Sequence, residues 1–299
     1  MSRRNLGDLP FPKATFNPAL KSEREDGRVK FETVAEAAAE DDLRIQSLLK
    51  AAHKPGISQN GATDLASRIG NQVGNRGTLA SAAFMRVVRI IVIGALWKLV
   101  RAMGSHNVLT FTIIPRSWEF PADQLDSVDP RILLERFRQK VIRAKKKSKG
   151  GWLFAAVHGE YEPTRGVYQL HLHGLANPIM ITALDALRKK GDFKKVVIKR
   201  QSVHLRVRIS RQPLTNLPDP LTYTLQSYWP SRQAFLRGEA DQTRQRKKRR
   251  IKEPHHAEVL LWLDRWRLND VTLLMGLRVT KKGLKITNSK TNTNSGTKS

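Results

Sequence analysis

From residue 108 onward the hydrophobic and polar positions fall into short, punctuated runs. Val108-Leu109-Thr110-Phe111-Thr112-Ile113-Ile114 is rich in branched and aromatic residues and stops at Pro115, the pattern of a strand. Behind it, Ile132, Leu133, Phe137, Val141 and Ile142 recur at helical spacing after Pro130, a proline placed where a helix begins. Gly150-Gly151 then turns into a second strand over residues 152–158, and the polar stretch Glu162-Pro163-Thr164-Arg165-Gly166 returns the chain into a third. Residues 183–190 read as a short helix ended by Gly191, and residues 203–209 as an alternating fourth strand. Strand, helix, strand, strand, helix, strand is the order of a split βαβ unit. The expected fold is α+β, a ferredoxin-like antiparallel sheet with its helices on one face.

Outside this block the patterns are helical or absent. Residues 1–32 mix proline, glycine and charge without periodicity and are expected to be poorly ordered. Residues 34–52 predict an Ala-rich amphipathic helix with Leu43, Leu48 and Leu49 on its apolar side, and residues 54–78, punctuated by Lys-Pro-Gly, Gln-Asn-Gly and clustered glycines, predict a linker. The uncharged run from Ile90 to Trp97, bounded by Arg89 and Lys98, falls far short of the roughly 18 residues of a membrane span. It reads as a buried helix with snorkelling basic ends. After Pro220, the positions Leu221, Leu225, Tyr228 and Trp229 make one helical stripe, which predicts Tyr228 as a core aromatic and sets Tyr223 on the opposite, polar side. A helix over residues 257–268 and a polar tail over 281–299 follow. The expected organisation is an N-terminal segment (1–78), the α+β domain (79–230), a basic and helical extension (231–280) and the tail. The sheet domain thus carries helical additions at both ends.

Charge narrows the class of partner. The 299 residues hold 54 Lys and Arg against 26 Asp and Glu, a formal net charge of +28. Residues 1–50 carry nine of each sign, so the whole excess lies beyond them. Such a surface suits a polyanion, and nucleic acid is the expected one. Two clusters concentrate it. The second half of the helix after Pro130 has eight cations and no acid over residues 136–149, among them Lys140, Arg143, Lys145, Lys146, Lys147 and Lys149. Residues 244–252 have seven cations in nine, including Arg246, Lys247, Lys248, Arg249 and Arg250. Both are candidates for phosphate contact. The absence of cysteine excludes disulfides and thiolate chemistry and suits a reducing cytoplasm. No Gly-x-x-x-x-Gly-Lys-Ser/Thr occurs, so no nucleotide-driven motor is expected, and the twin arginines at the N-terminus lack the apolar core of an export signal.

The candidate chemistry lies in the third strand. In Leu170-His171-Leu172-His173-Gly174 the two histidines are i and i+2, so on a strand they project together while Leu172 anchors the other face. Paired imidazoles on a rigid strand can give two ligands to one divalent ion.

The strand 109–112, the His-Leu-His strand in third place and a tyrosine-bearing helix afterwards together resemble the HUH endonucleases over residues 108–230. These comprise rolling-circle replication initiators, relaxases and related transposases. The resemblance implies a metal-dependent nicking and strand-transfer enzyme of the replication-initiator type, with a transposase or relaxase as the alternative within the superfamily. It implies Mg²⁺ or Mn²⁺ held by His171, His173 and an oxygen ligand, with Glu160 favoured and His158 and Glu162 behind it. It also implies a tyrosine nucleophile: Tyr223 first, with Tyr228 as a second, disfavoured candidate. The partners implied are origin DNA, as a single strand or cruciform, together with a host helicase and polymerase. Where the family often has a lysine three residues after its tyrosine this chain has Gln226, so the cation supporting the phosphate is left open. The reading from another class is a non-catalytic ferredoxin-like binder of the RNA-recognition type, which would want exposed aromatics on its two central strands.

Overall fold

A computed structural model describes residues 5–10, 31–71, 77–145, 150–198, 201–215, 217–237, 241–244 and 249–287. Three helices, α1 (Val34–Ala51), α2 (Gln59–Asn71) and α3 (Ala82–Met103), precede β1 (Leu109–Ile113) and the short β2 (Glu119–Pro121). Helix α4 (Pro130–Lys145) leads into the long hairpin of β3 (Leu153–Glu162) and β4 (Val167–Ala176), followed by α5 (Pro178–Ala186). A small hairpin, β5 (Val196–Ile198) and β6 (Gln201–His204), comes before β7 (Val207–Ile209). Then follow α6 (Asp219–Thr222), β8 (Pro230–Ser231), the hairpin β9 (Ala234–Arg237) and β10 (Asp241–Arg244), and β11 (Arg249–Arg250). Helix α7 (His255–Asp264), β12 (Thr272–Met275) and the hairpin β13 (Leu277–Thr280) and β14 (Gly283–Ile286) complete the described chain.

The architecture is α+β. Its centre is a mostly antiparallel eight-stranded sheet in the order β11-β8-β3-β4-β1-β7, with β2 added to β4 and β12 to β3. The edge of β3 away from β4 is shared: β12 takes residues 153–156 and β8 pairs at Tyr161. Helices α4 and α5, which make the two crossovers, lie against one another. No helix among the described residues is long and apolar enough to cross a membrane.

Several helical readings need correction. Residues 54–78 are not a plain linker: α2 forms there because Ala62, Leu65, Ala66 and Ile69 make a buried stripe, which packs with Leu48, Ala257 and Leu260 in a second core. At the N-terminus Leu6, Leu9 and Phe31 are built into the main core. In α1 the buried face runs through Ala37, Asp41, Arg44, Leu48 and Ala51, leaving Leu43 and Leu49 exposed. Its charged members have fixed work, since the Asp41 carboxylate caps α3 by accepting from the Ser81 hydroxyl (2.7 Å) and from the amides of Ala82 and Ala83. Ile132 and Ile142 are likewise exposed on α4, whose buried stripe is Leu133, Leu134, Phe137 and Val141. In α3 Arg89 does not snorkel. It is buried and paired with Glu32.

The segment expected to be a helix over Leu221–Trp229 is helical only to Thr222. The Thr222 and Thr224 hydroxyls donate back to the carbonyls of Asp219 (2.7 Å) and Leu221 (2.6 Å), a local bonding pattern that competes with helix propagation. With the helical period gone, Leu221, Leu225 and Trp229 still turn inward, but Tyr228 is 43% exposed and is not a core aromatic.

Register in the β3–β4 hairpin assigns the faces. His158 pairs with His171, Ala156 with His173, and Glu160 with Gln169. On the far side of β4, Thr112 of β1 pairs with His173, and Arg208 of β7 pairs with Thr112. Directly paired residues share a face. One face therefore collects Thr112, His158, Glu160, Gln169, His171, His173 and Arg208. The other carries Phe111, Ile113, Val157, Leu170, Leu172 and Val207, all buried in the main core.

Candidate active site

The histidine strand does what its alternation predicts. His171 is buried, His173 half-buried, and their Nε2 atoms lie 3.1 Å apart with the rings perpendicular. Two ligands held at 2.0–2.1 Å from one octahedral ion at a right angle are about 2.9 Å apart. The same separation suits an N–H···N hydrogen bond.

A second contact assigns the Nδ1 hydrogen of His171, while that of His173 leaves two arrangements. His171 Nδ1 is 3.2 Å from the Gln169 carbonyl, which can only accept, so the proton sits on Nδ1 and Nε2 presents a lone pair. His173 Nδ1 is 2.9 Å from Thr112 Oγ1, a rotor that can donate or accept. When the hydroxyl donates, His173 carries its proton on Nε2 and gives it to His171. When the hydroxyl accepts from Nδ1–H, both Nε2 lone pairs face the same point and require a cation between them. A partner of this kind that orients a ligating imidazole is characteristic of metal sites. Thr112 was not singled out in the sequence. Its signal is the alternation of β1, which puts a hydroxyl beside the second histidine.

His158 completes a cluster of rings, 5.0 Å from His173 and 6.1 Å from His171 between centroids. Its Nε2 lies 3.2 Å from the Thr224 carbonyl, so Nε2–H donates there and Nδ1 is the remaining basic atom. Glu160 shares the face, but its carboxylate lies 3.5 Å from Arg232 Nε. Glu162 is spent on the hairpin turn, accepting from the amides of Thr164 (3.0 Å) and Arg165 (2.8 Å). Among the described residues no three His, Asp or Glu side chains form a preformed metal cage. The donor set fits an ion held by two imidazoles, with remaining positions for water and an anionic ligand, and the two nitrogens favour Mn²⁺ over the oxygen-preferring Mg²⁺.

The tyrosine segment borders this face. Tyr223 is 57% exposed and adjoins Thr224, the residue bonded to His158. Tyr228 stands at the lip of a cavity of about 400 Å³ lined by Glu36, Glu40, Ser227, Trp229, Arg249 and His256, among others. Burial, and then the charge of Glu40, pushes its phenol above the ordinary value against the opposing Arg232, which disfavours a phenolate there.

Cations gather on the same face. Arg208 is exposed as a residue and has no carboxylate partner among the described residues. Partial desolvation of its guanidinium, then the like charge of Arg232, lowers its pKa from the ordinary arginine value. Neither arginine stood out in the sequence, because single cations in a chain this basic carry little signal.

The predicted basic clusters divide. Lys140 is engaged with Asp192 (2.6 Å) and lies over the Phe193 ring, and Lys145 donates to the Gly150 carbonyl. Arg143 and Arg249 are exposed, while Arg250 is paired with Glu40. Lys146, Lys147, Lys149, Arg246, Lys247 and Lys248 lie outside the described residues. His255 and His256 diverge, His255 toward Glu258 (3.1 Å) and His256 toward Ser47 (2.7 Å), as expected for adjacent residues that share no ion.

No protein-family model matches the chain, and neither curated proteins nor solved structures give a significant match.

Proposed function

We propose that this protein is an HUH-type DNA-nicking and strand-transfer enzyme, acting in the cytoplasm as the replication initiator of a rolling-circle replicon. The observation that carries the reading is the convergence of His171 and His173 Nε2 at 3.1 Å on one strand. Supporting it, the strands β7-β1-β4-β3 run antiparallel in the order fourth, first, third, second. That is the order of a ferredoxin-like split βαβ sheet, with the histidines on its third strand. The central strands β1 and β4 offer Thr110, Thr112, Gln169, His171 and His173 on the polar face, with no aromatic stacking platform, which disfavours the RNA-recognition reading.

In this reading the Tyr223 hydroxyl attacks the scissile phosphorus. A bond forms between the phenol oxygen and phosphorus as the phenol releases its proton to solvent, the bond to the 3′ oxygen breaks, and that oxygen takes a proton from solvent to leave as a 3′-hydroxyl. The 5′-phosphotyrosine conserves the energy needed for rejoining. His171 and His173 would hold Mg²⁺ or Mn²⁺, which when bound would supply Lewis-acid neutralisation of charge on the phosphate. Arg208 and Arg232 add fixed positive charge beside it.

The test is cleavage of a labelled single-stranded origin oligonucleotide from the chain's own replicon with Mn²⁺, quenched in denaturant and resolved for protein–DNA adduct. Wild type and Tyr228→Phe should form adduct, and Tyr223→Phe should bind DNA without forming it. Adduct lost in Tyr228→Phe but kept in Tyr223→Phe would exchange the two roles. Cleavage without adduct would replace tyrosine by water, and absence of both would sink the enzyme reading.

A further inference from the structure

The chain from Tyr223 to Trp229 lacks a regular structure that would satisfy its carbonyls, and buried side chains from three separate elements do so instead. His158 of β3 donates to Thr224 (3.2 Å), Arg89 of α3 donates through Nε to Leu225 (2.8 Å), and Arg44 of α1 donates through Nη2 to Ser227 (2.8 Å). The three donors are 3%, 7% and 1% exposed. Both guanidiniums are themselves held. Arg44 also donates to the Ala80 carbonyl (2.8 Å) and to Glu40 (3.1 Å), and Arg89 is paired with Glu32 and lies over the Phe31 ring. From beneath, the Trp229 ring occupies the space a side chain at residue 159 would need: a Cβ on Gly159 would lie 2.4 Å from it.

Taking two guanidiniums out of water is costly, and a buried ion pair is weak evidence for stability as such. Here the hydrogen bonds are directed at the backbone of the one segment that presents Tyr223. An in-line displacement needs its nucleophile placed to within a fraction of an ångström, and misplacement by about 1 Å costs on the order of 10²-fold in rate. We propose that Arg44 and Arg89 are positioning residues that, with His158, clamp the Thr224, Leu225 and Ser227 carbonyls and thereby hold Tyr223 at the histidine face. The proposal rests on the reading of Tyr223 as nucleophile. It assigns the N-terminal helices α1 and α3 a part in the reaction.

The test is single-turnover adduct formation with enzyme in excess over origin oligonucleotide, in Mn²⁺, for wild type, Arg44→Met, Arg89→Met, the corresponding Lys variants and Leu48→Ala. Leu48 is a fully buried α1 residue in the second core, so its variant serves as a destabilised control. Folded fraction sets the amplitude of adduct, whereas placement of the phenol sets the rate constant. The Met variants should lose 10- to 100-fold in rate constant with oligonucleotide affinity within about twofold of wild type. The Lys variants, which keep the charge and a single donor nitrogen, should recover part of the loss, and Leu48→Ala should lose amplitude alone. Rate constants near wild type in the Met variants, or an equal fall in Leu48→Ala, would overturn the clamp. Should the Met variants fail to fold, the same criteria apply to the Lys variants, whose unchanged rate constants would also overturn it. Wild type without adduct would instead remove the nucleophile reading, and the clamp with it.

Discussion

The two faces of the β3–β4 hairpin are built from alternate residues of the same strands and follow opposite rules. One face, with Val157, Leu170 and Leu172, is buried hydrocarbon. The other sets His158, Glu160, Gln169 and His171, all at most 9% exposed, where a sheet would ordinarily bury apolar side chains. Burying a neutral polar group without a partner costs roughly 1–3 kcal/mol in proteins, and an unpaired carboxylate far more. The polar face meets this with directed contacts: His158 to Thr224, Glu160 to Arg232, Gln169 to the carbonyls of Pro115 and Trp118, and His171 to its own strand. Those contacts fix orientation and tautomer, which burial alone would not require. The apolar face makes the fold, and the polar face keeps an arrangement ready for chemistry.

The comparison breaks most visibly at the histidines. His171→Ala or His173→Ala should lower adduct formation by about 10³-fold or more, several kcal/mol of activation free energy. Thermal stability and non-specific DNA binding should stay close to wild type. Full activity in the double variant would mean that the converging Nε2 atoms are only a hydrogen-bonded pair. On the opposite face Leu172→Ala should do the reverse, costing about 2–5 kcal/mol of stability in denaturant titrations through the cavity it leaves. Its surviving folded fraction should still form adduct. A smaller effect sharpens the polar side. Thr112→Val keeps the shape of the side chain but removes the acceptor for His173 Nδ1–H, so Mn²⁺ affinity measured by titration should fall about 10- to 100-fold. Unchanged affinity would show that Thr112 does not set the tautomer.

Much of this was legible in the chain, for reasons that differ by element. Strand alternation is local, so Leu170-His171-Leu172-His173 gave the shared histidine face directly, and Pro115, Gly150-Gly151 and Gly166 marked the turns around it. Helix α2 was hidden because Gly61, Gly70 and neighbouring polar residues outweigh its four apolar positions until α1 and α7 supply a surface to pack on. The Tyr223–Trp229 segment misled because Leu221, Leu225 and Trp229 are buried as a helix would bury them. What holds the segment is instead a set of long-range donors, and Arg44 and Arg89 lie 183 and 136 residues from the carbonyls they serve. No periodicity can report contacts of that separation. The third-ligand choice failed to resolve for a similar reason, since the carboxylate of Glu160 lies against Arg232, a cation far along the chain.

The smallest expected effects lie on α4, where sequence alone treats all cations alike. Lys140 is engaged with Asp192, and Arg143 is exposed. Burial by itself would raise the Asp192 carboxyl, but the Lys140 ammonium and two hydrogen bonds from Ser117 outweigh it and hold the group below the ordinary aspartate range. A depressed folded-state pKa contributes stability that is present above the unfolded value, about 3.9, and is lost as pH falls through the folded one. Asp192→Asn should therefore cost no more than about 1 kcal/mol at pH 7, since the Lys140 partner is partly solvated, and the difference from wild type should close below about pH 4. DNA binding separates the two cations by another route. Each phosphate contact contributes about 0.9 to the slope of log affinity against log salt. Arg143→Met should reduce that slope by about one contact, whereas Lys140→Met, whose charge is already matched by Asp192, should leave it unchanged. A reduced slope for Lys140→Met with none for Arg143→Met would mean that DNA displaces Asp192 from Lys140, and that this ion pair belongs to the binding surface rather than to the fold.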